Sequence, residues 1–419
     1  MQITKDQIAD RNRDGLSDHR DAYEALAARL DKQGCPVEAI IRKLVDFQVA
    51  IPSWALGTGG TRFGRFRGAG EPRMLAEKID DVGLLHALNR SSGAVSLHIP
   101  WDVPEDAGAV REQMQQHGLA FDAMNSNTFQ DQPNQRESYK FGSLCHEDAT
   151  VRAQAVAHNR EVIRLGEQLG SKSLTVWLAD GANFPGQRDL RRALRHTRDA
   201  LRDIYAALPD DWTLLIEYKP FEPNFYSTVI PDWGTSYWLT TQVGERARTL
   251  VDLGHHLPNA NIEQIVATLL EAGKLGGFHF NDSKYADDDL TVGSIKPYQL
   301  YLIFRELVGN TDAVAFMIDA SHNTKDPLED LLQSVEAIQT AYAQALLVDA
   351  DTLDGYQREN DVVMTQELLQ DAFRTDVRPL VREARVRAGG ALDPLKTYRT
   401  FDVRATLHEE RGEGIATGL

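Results

Sequence analysis

LRRALRHTRDALRDIYAAL, from Leu190, runs into WTLLIEYKP, from Trp212, and the same order recurs along the chain. The first stretch spaces its apolar residues at three and four, as one face of a helix requires. The second is a short β-branched run, mostly apolar, that turns polar only at its end. Seven more such runs read as strands: FQVAIPSW from Phe47, AVSLHIPW from Ala94, AFDAMNSNTF from Ala120, SLTVWL from Ser173, RTLVDLGHH from Arg248, GGFHFND from Gly276 and VAFMIDASHN from Val314. Helical patterns starting at Met74, Val151 and Ile262 lie between them, with Gly170 and Gly273 placed as C-terminal stops. Nearly continuous apolar strands alternating with helices imply a parallel sheet covered by helices. Eight units over roughly 275 residues suit a closed (β/α)8 TIM barrel of the usual ~250-residue size. A doubly wound open sheet is the alternative, and the chain lacks the GxGxxG strand–turn–helix expected of its commonest form.

The organisation that follows is an N-terminal helical segment (1–46), the barrel (47–349) and a C-terminal helical extension (350–419). The extension includes VVMTQELLQDAF from Val362 and PLVREARVRAGG from Pro379, which a barrel does not need. A packed tail and an arm for oligomerisation both fit it.

Composition narrows the function. The 419 residues carry a formal net charge of −17, and no Lys/Arg stripe with interleaved aromatics interrupts it. Nucleic acid and anionic membranes are therefore not expected partners. No apolar run reaches the ~18 residues of a membrane span. The polar N-terminus has no signal-like core, and two distant cysteines, Cys35 and Cys145, read as reduced thiols, so a cytoplasmic protein is expected.

The active face of such a barrel is built from the strand C-termini and the loops after them. Four potential ligands fall there on consecutive strands: Glu217, Asp252, His279 and Asp319, separated by 35, 27 and 40 residues. Each interval is about one strand–helix unit. Three carboxylates crowded into one mouth repel unless cations compensate them. Carboxylate-rich sites with one or two imidazoles suit Mn²⁺, Mg²⁺ or Co²⁺ better than a thiolate zinc site. His255, after Gly254, and the run Asp287-Asp288-Asp289 offer a second metal that would share Asp252. Alternation puts Lys219 on the same face as Glu217. Trp54, Trp101, Phe129 and Trp177 all stand at strand ends, as an apolar wall that excludes water would. The glycine-rich loop 57–70 lacks Gly-Lys-Ser/Thr, so no phosphate cradle is expected there.

At these residues the chain resembles a known family. IEYKPFEP from Ile216 is similar to the Glu-x-Lys-Pro strand of the xylose isomerase superfamily. IPSWALGTGGTRFGRF from Ile51, HIPWD from His98, HFNDSKYADDDLTVGS from His279 and MIDASHN from Met317 resemble the L-rhamnose isomerases, in the branch active on many aldoses. The resemblance implies two divalent cations per subunit, Mn²⁺ with Co²⁺ and Mg²⁺ as alternatives. One would sit at Glu217, Asp252, His279 and Asp319, the other at His255, Asp287 and Asp289 with Asp252 shared. Lys219, His255, Asp287, Asp289, Asp319 and His98 would be catalytic. Trp54, Phe63, His98, Trp101, Phe129, Trp177, Lys219 and Ser321 would bind the sugar. His98-Ile99-Pro100-Trp101-Asp102 is one residue longer than the family's His-x-x-Asp, which leaves Asp102 as a cap or orienting residue. The implied reaction converts L-rhamnose to L-rhamnulose, and other unphosphorylated aldoses such as D-allose, by a hydride shift between C1 and C2. The loop bearing Phe63 would cover a neighbour's site, implying a homo-oligomer, a tetramer by the family's habit. The rival readings are another metal-dependent sugar enzyme of this barrel (epimerase, hydroxypyruvate isomerase or aldolase), a metal-dependent DNA endonuclease, and a non-catalytic sugar-binding protein.

Overall fold

The computed structural model describes residues 1–57, 66, 68–320 and 324–414. Phe63 and Ser321 lie outside them. Eight parallel strands close a barrel: β1 (Ala50–Pro52), β2 (Ala94–Ile99), β3 (Ala120–Ser126), β4 (Ser173–Val176), β5 (Thr213–Glu217), β6 (Ala247–Asp252), β7 (Leu275–Phe280) and β8 (Ala315–Ile318). Each expected apolar run contributes one strand. The pairing of Ala50 with both Met317 and Ala94 closes the ring.

Helices α1 (Lys5–Asn12), α2 (Leu16–Lys32) and α3 (Val37–Asp46) precede the barrel. The helices after successive strands are α4 (Leu75–Asn89), α5 (Ala107–His117), α6 (Ala149–Leu169), α7 (Leu190–Tyr205), α8 (Trp233–Val243), α9 (Ile262–Glu271), α10 (Pro297–Leu307) and α11 (Pro327–Leu346). Side chains of Asp106, Asp148, Asp189, Asp232, Asn261 and Asp326 accept the first free N–H groups of α5, α6, α7, α8, α9 and α11. Gly170 and Gly273 take the left-handed conformation just past α6 and α9, as read from the sequence.

The last helices are α12 (Ala350–Glu359), α13 (Val362–Arg374), α14 (Arg378–Arg387), α15 (Pro394–Thr400) and α16 (Val403–Arg411). Of these, α14 packs on α2 and α3, and α15 packs on α4 and α11. The guanidinium of Arg411 lies buried against Asp81 of α4, with bonds of 2.7 and 2.8 Å, and also donates to Gly70 O at 3.2 Å. Ala69 pairs with Glu413 in an antiparallel bridge. Among the described residues, no helix is long and apolar enough to cross a membrane.

Candidate active site

Register builds the site. Asp252 at the end of β6 is paired directly with His279 on β7, Glu217 ends β5, and Asp319 follows β8. Ligand atoms of Glu217, Asp252, His279 and Asp319 all lie within 4.8 Å of one another, and so do those of Asp252, His255 and Asp287. His279 Nδ1 stands 3.4 Å from Glu217 Oε1, 3.5 Å from Asp252 Oδ2 and 3.5 Å from Asp319 Oδ2. His255 Nδ1 is 3.1 Å from Glu217 Oε1 and its Nε2 is 3.3 Å from Asp287 Oδ1. Ligands about 2.1 Å from one cation stand roughly 3.0–3.4 Å apart in octahedral or tetrahedral sites. These separations are of that size. Among the described residues, Asp252 Oδ2, His255 Nδ1 and His279 Nδ1 are buried without a hydrogen bond, as donor atoms reserved for a cation would be. The residues fit two divalent ions that share Asp252.

Electrostatics agree. Burial opposes charge on His279 and His255, but Glu217 and Asp252 respectively head the carboxylates that raise both imidazoles well above their usual range. Burial alone would raise Glu217; His279 and His255 instead bring it down to about 2. Asp289 is raised well above its usual value by burial and by Asp287, Asp319 and Asp252. Two imidazoles and Lys219 thus face five carboxylates, a surplus of buried negative charge that cations would offset.

The triplet resolves unequally. Asp287 joins the second group, whereas Asp288 Oδ2 turns back to accept Lys284 N at 2.6 Å and Tyr285 N at 2.8 Å. Asp289, at φ 48°, points its charge toward the same mouth but stands outside the tightest ligand set. Lys219 is buried, in contact with Asp287 Oδ2 and 2.7 Å from Glu222 Oε1. Beside this pair a cavity of about 670 Å³ is lined by Phe221, Pro223, Tyr285 and Leu290.

Asn281 escaped the sequence reading, and Gly254 was read there only as the residue that turns the chain before His255. Asn281 Nδ2 donates to Asp252 Oδ1 at 2.9 Å and to Asp319 O at 3.2 Å, holding two ligands in place. Its signal was the alternation Gly277, His279, Asn281 along β7. Gly254 N donates to the same Asp252 oxygen at 2.7 Å. A methyl on Gly254 would stand 3.0 Å from Asp287 Oδ1 and 3.3 Å from Asp252 Oδ1.

The four expected aromatics do meet. His98 lies 5.3 Å from Trp54, 4.7 Å from Trp101 and 5.6 Å from Phe129, centroid to centroid. Phe129 continues to Trp177 at 4.7 Å, and Lys219 Nζ sits 5.4 Å above the Trp177 ring. Trp54 Nε1 donates to Asp319 Oδ1 at 3.0 Å, tying this wall to the first ligand group. Burial drives the His98 imidazole down to about 4, against the pull of Asp102 and Asp319. Asp102 spends its oxygens elsewhere, on Lys78, Ser53 and the backbone N–H of His98.

Residues 91–331 match the family described as xylose isomerase-like TIM barrel. The chain belongs to that family. Among its relatives, a probable sugar isomerase of Rhizobium meliloti is 53% identical over 395 residues, 93% of this chain and 92% of that protein. A probable sugar isomerase of Mesorhizobium japonicum matches to the same extent. In fold alone, the family barrel is also seen in a 3-keto-D-glucoside 4-epimerase from E. coli, with TM-score 0.53, 12% identity, and coverage of 70% of this chain and 100% of that one.

Proposed function

We propose that this protein is a divalent-metal-dependent aldose–ketose isomerase that converts L-rhamnose to L-rhamnulose and accepts other unphosphorylated aldoses such as D-allose. The observation that carries the reading is the pair of carboxylate–imidazole groups sharing Asp252, opening on Lys219 and the aromatic wall. The probable sugar isomerases among the relatives support an isomerase, and the motifs that resemble L-rhamnose isomerases supply the substrate.

Glu217, Asp252, His279 and Asp319 would hold one cation and Asp252, His255, Asp287 and Asp289 the other, Mn²⁺ with Co²⁺ or Mg²⁺ as alternatives. Bound there, the cations would supply positive charge where negative charge grows on the oxygens at C1 and C2. Lys219 adds a fixed positive charge beside that position. Trp54, His98, Trp101, Phe129 and Trp177 cover the apolar face of the sugar and exclude water. Glu222 is held by Lys219, and with Asp289 assigned to a cation no mouth carboxylate is left to act as a base. Hydrogen therefore passes from C2 to C1 as hydride rather than through an enediol, and the proton on O2 moves to O1, so that the C2 alcohol becomes the carbonyl and the C1 carbonyl the alcohol. Residues 350–419 serve subunit contacts in a cytoplasmic homo-oligomer, a tetramer; the exposed Val362 and Val363 on α13 suit that use.

The rival is a one-cation epimerase or related sugar enzyme of the same barrel. It draws on Asp289 standing outside the tightest ligand set, free to act as acid or base. Metal stoichiometry and turnover separate the two. Protein stripped with a chelator is assayed on L-rhamnose and D-allose, with and without Mn²⁺, and its bound metal is counted. Two equivalents, with ketose formation restored by Mn²⁺ and lost in Asp287→Asn, support the isomerase. One equivalent and no ketose from either aldose would overturn it.

A further inference from the structure

We infer that Asp102 is a positioning residue for the sugar-facing wall, acting through Lys78 and Ser53 rather than as a hydrogen-bond partner of the His98 imidazole. The inference rests on the isomerase reading for what the wall faces, and on geometry alone for how the wall is held.

Asp102 is 1% exposed, and three donors from separate parts of the barrel converge on it. Lys78 Nζ, from α4, reaches Oδ1 at 2.6 Å; Ser53 Oγ, at the end of β1, reaches Oδ2 at 2.5 Å; His98 N, on β2, reaches Oδ2 at 2.8 Å. Asp102 N closes the loop by donating to His98 O at 3.0 Å. Ser53 immediately precedes Trp54, while His98 and Trp101 flank the loop that ends in Asp102. One carboxylate therefore fixes the backbone beneath three of the five rings of the wall. Lys78 is itself buried, so removing either charge leaves the other unpaired, and the local structure must shift to hydrate it. No hydrogen bond joins the His98 ring to Asp102: its Nδ1 has no hydrogen-bond partner among the described residues. Both oxygens of Asp102 are already engaged.

The experiment compares Lys78→Met, Asp102→Asn and the double variant, with Ser53→Ala as a milder probe. Sugar binding is followed by tryptophan fluorescence, and turnover of L-rhamnose as kcat and KM across pH. If Asp102 positions the wall, Lys78→Met and Asp102→Asn each weaken sugar binding and raise KM about tenfold, with kcat nearly unchanged. The double variant then recovers much of the loss, because no buried charge is left unpaired. Ser53→Ala gives a smaller shift in the same direction and keeps the test open if a charge variant does not fold. If Asp102 instead serves the imidazole, Asp102→Asn lowers kcat and moves the acid limb of the pH profile while Lys78→Met does neither. That outcome overturns the inference. Absence of turnover in every protein, wild type included, would fall on the isomerase reading. The fluorescence binding series would still decide the positioning role.

Discussion

Replacing Gly254 by alanine tests the shared ligand with a single methyl group. Gly254 does not occupy the left-handed region, so alanine meets no backbone penalty there. The added carbon would lie 3.0 Å from Asp287 Oδ1 and 3.3 Å from Asp252 Oδ1 and from Asn281 Oδ1. All three oxygens belong to the site or its support. Asp252 cannot simply turn aside, since Gly254 N and Asn281 Nδ2 hold the crowded oxygen at 2.7 and 2.9 Å. The neighbours must yield by a few tenths of an ångström, and the parts that yield are ligands. Overpacking of this kind costs about 1–3 kcal/mol. Disturbing the groups that orient ligands lowers metal affinity about 10- to 100-fold, equivalent to about 1.4–2.7 kcal/mol. Calorimetric titration of chelator-stripped protein with Mn²⁺ reads this directly. The second equivalent, at Asp252, His255 and Asp287, should weaken by that factor, and the first should weaken less. Two equivalents bound with wild-type affinity would refute the assignment of these oxygens to a cation.

Lys219→Met removes the cation that bridges Asp287 and Glu222. It should lower kcat about 10²- to 10³-fold in ketose formation, and Lys219→Arg should not restore it, because a planar fork cannot replace a point charge in that space. Burial, aided by Arg90, lowers the His86 imidazole to about 4. The unfolded chain therefore binds the proton first, near pH 6.5, and stability falls as pH drops through that window. Roughly 2 kcal/mol should be gone by pH 5, and urea unfolding of a His86→Gln variant should show a flatter dependence between pH 7 and 5. Arg411→Met strands the buried carboxylate of Asp81 and should cost about 3–5 kcal/mol in the same assay.

The barrel was legible because its strands are buried on both faces and so read as uninterrupted apolar runs. The metal ligands were legible because the repeat length places strand ends at regular intervals, and Asp252 and His279 fall level on neighbouring strands. Length alone could not show which aspartate of the triplet turns away; that depends on a local turn in which Asp288 accepts two backbone N–H groups. Lys78 gave no signal either. In sequence it is one more lysine on an amphipathic helix, and only the closed fold buries it on Asp102. The two-residue ribbon of Gly181–Ala182 with Ser227–Thr228 is too short to leave any pattern.

The contact between Arg411 and Asp81 joins residues 330 apart in the chain. A ribosome adding about 5–20 residues per second exposes Asp81 roughly 16–66 s before its guanidinium emerges. Through that interval the first strand–helix unit must carry an unneutralised carboxylate destined for the interior. The charge on α4 is therefore neutralised late, on the arrival of α16, and a nascent chain stalled before that helix would present the α4 region as a weak and protease-sensitive part.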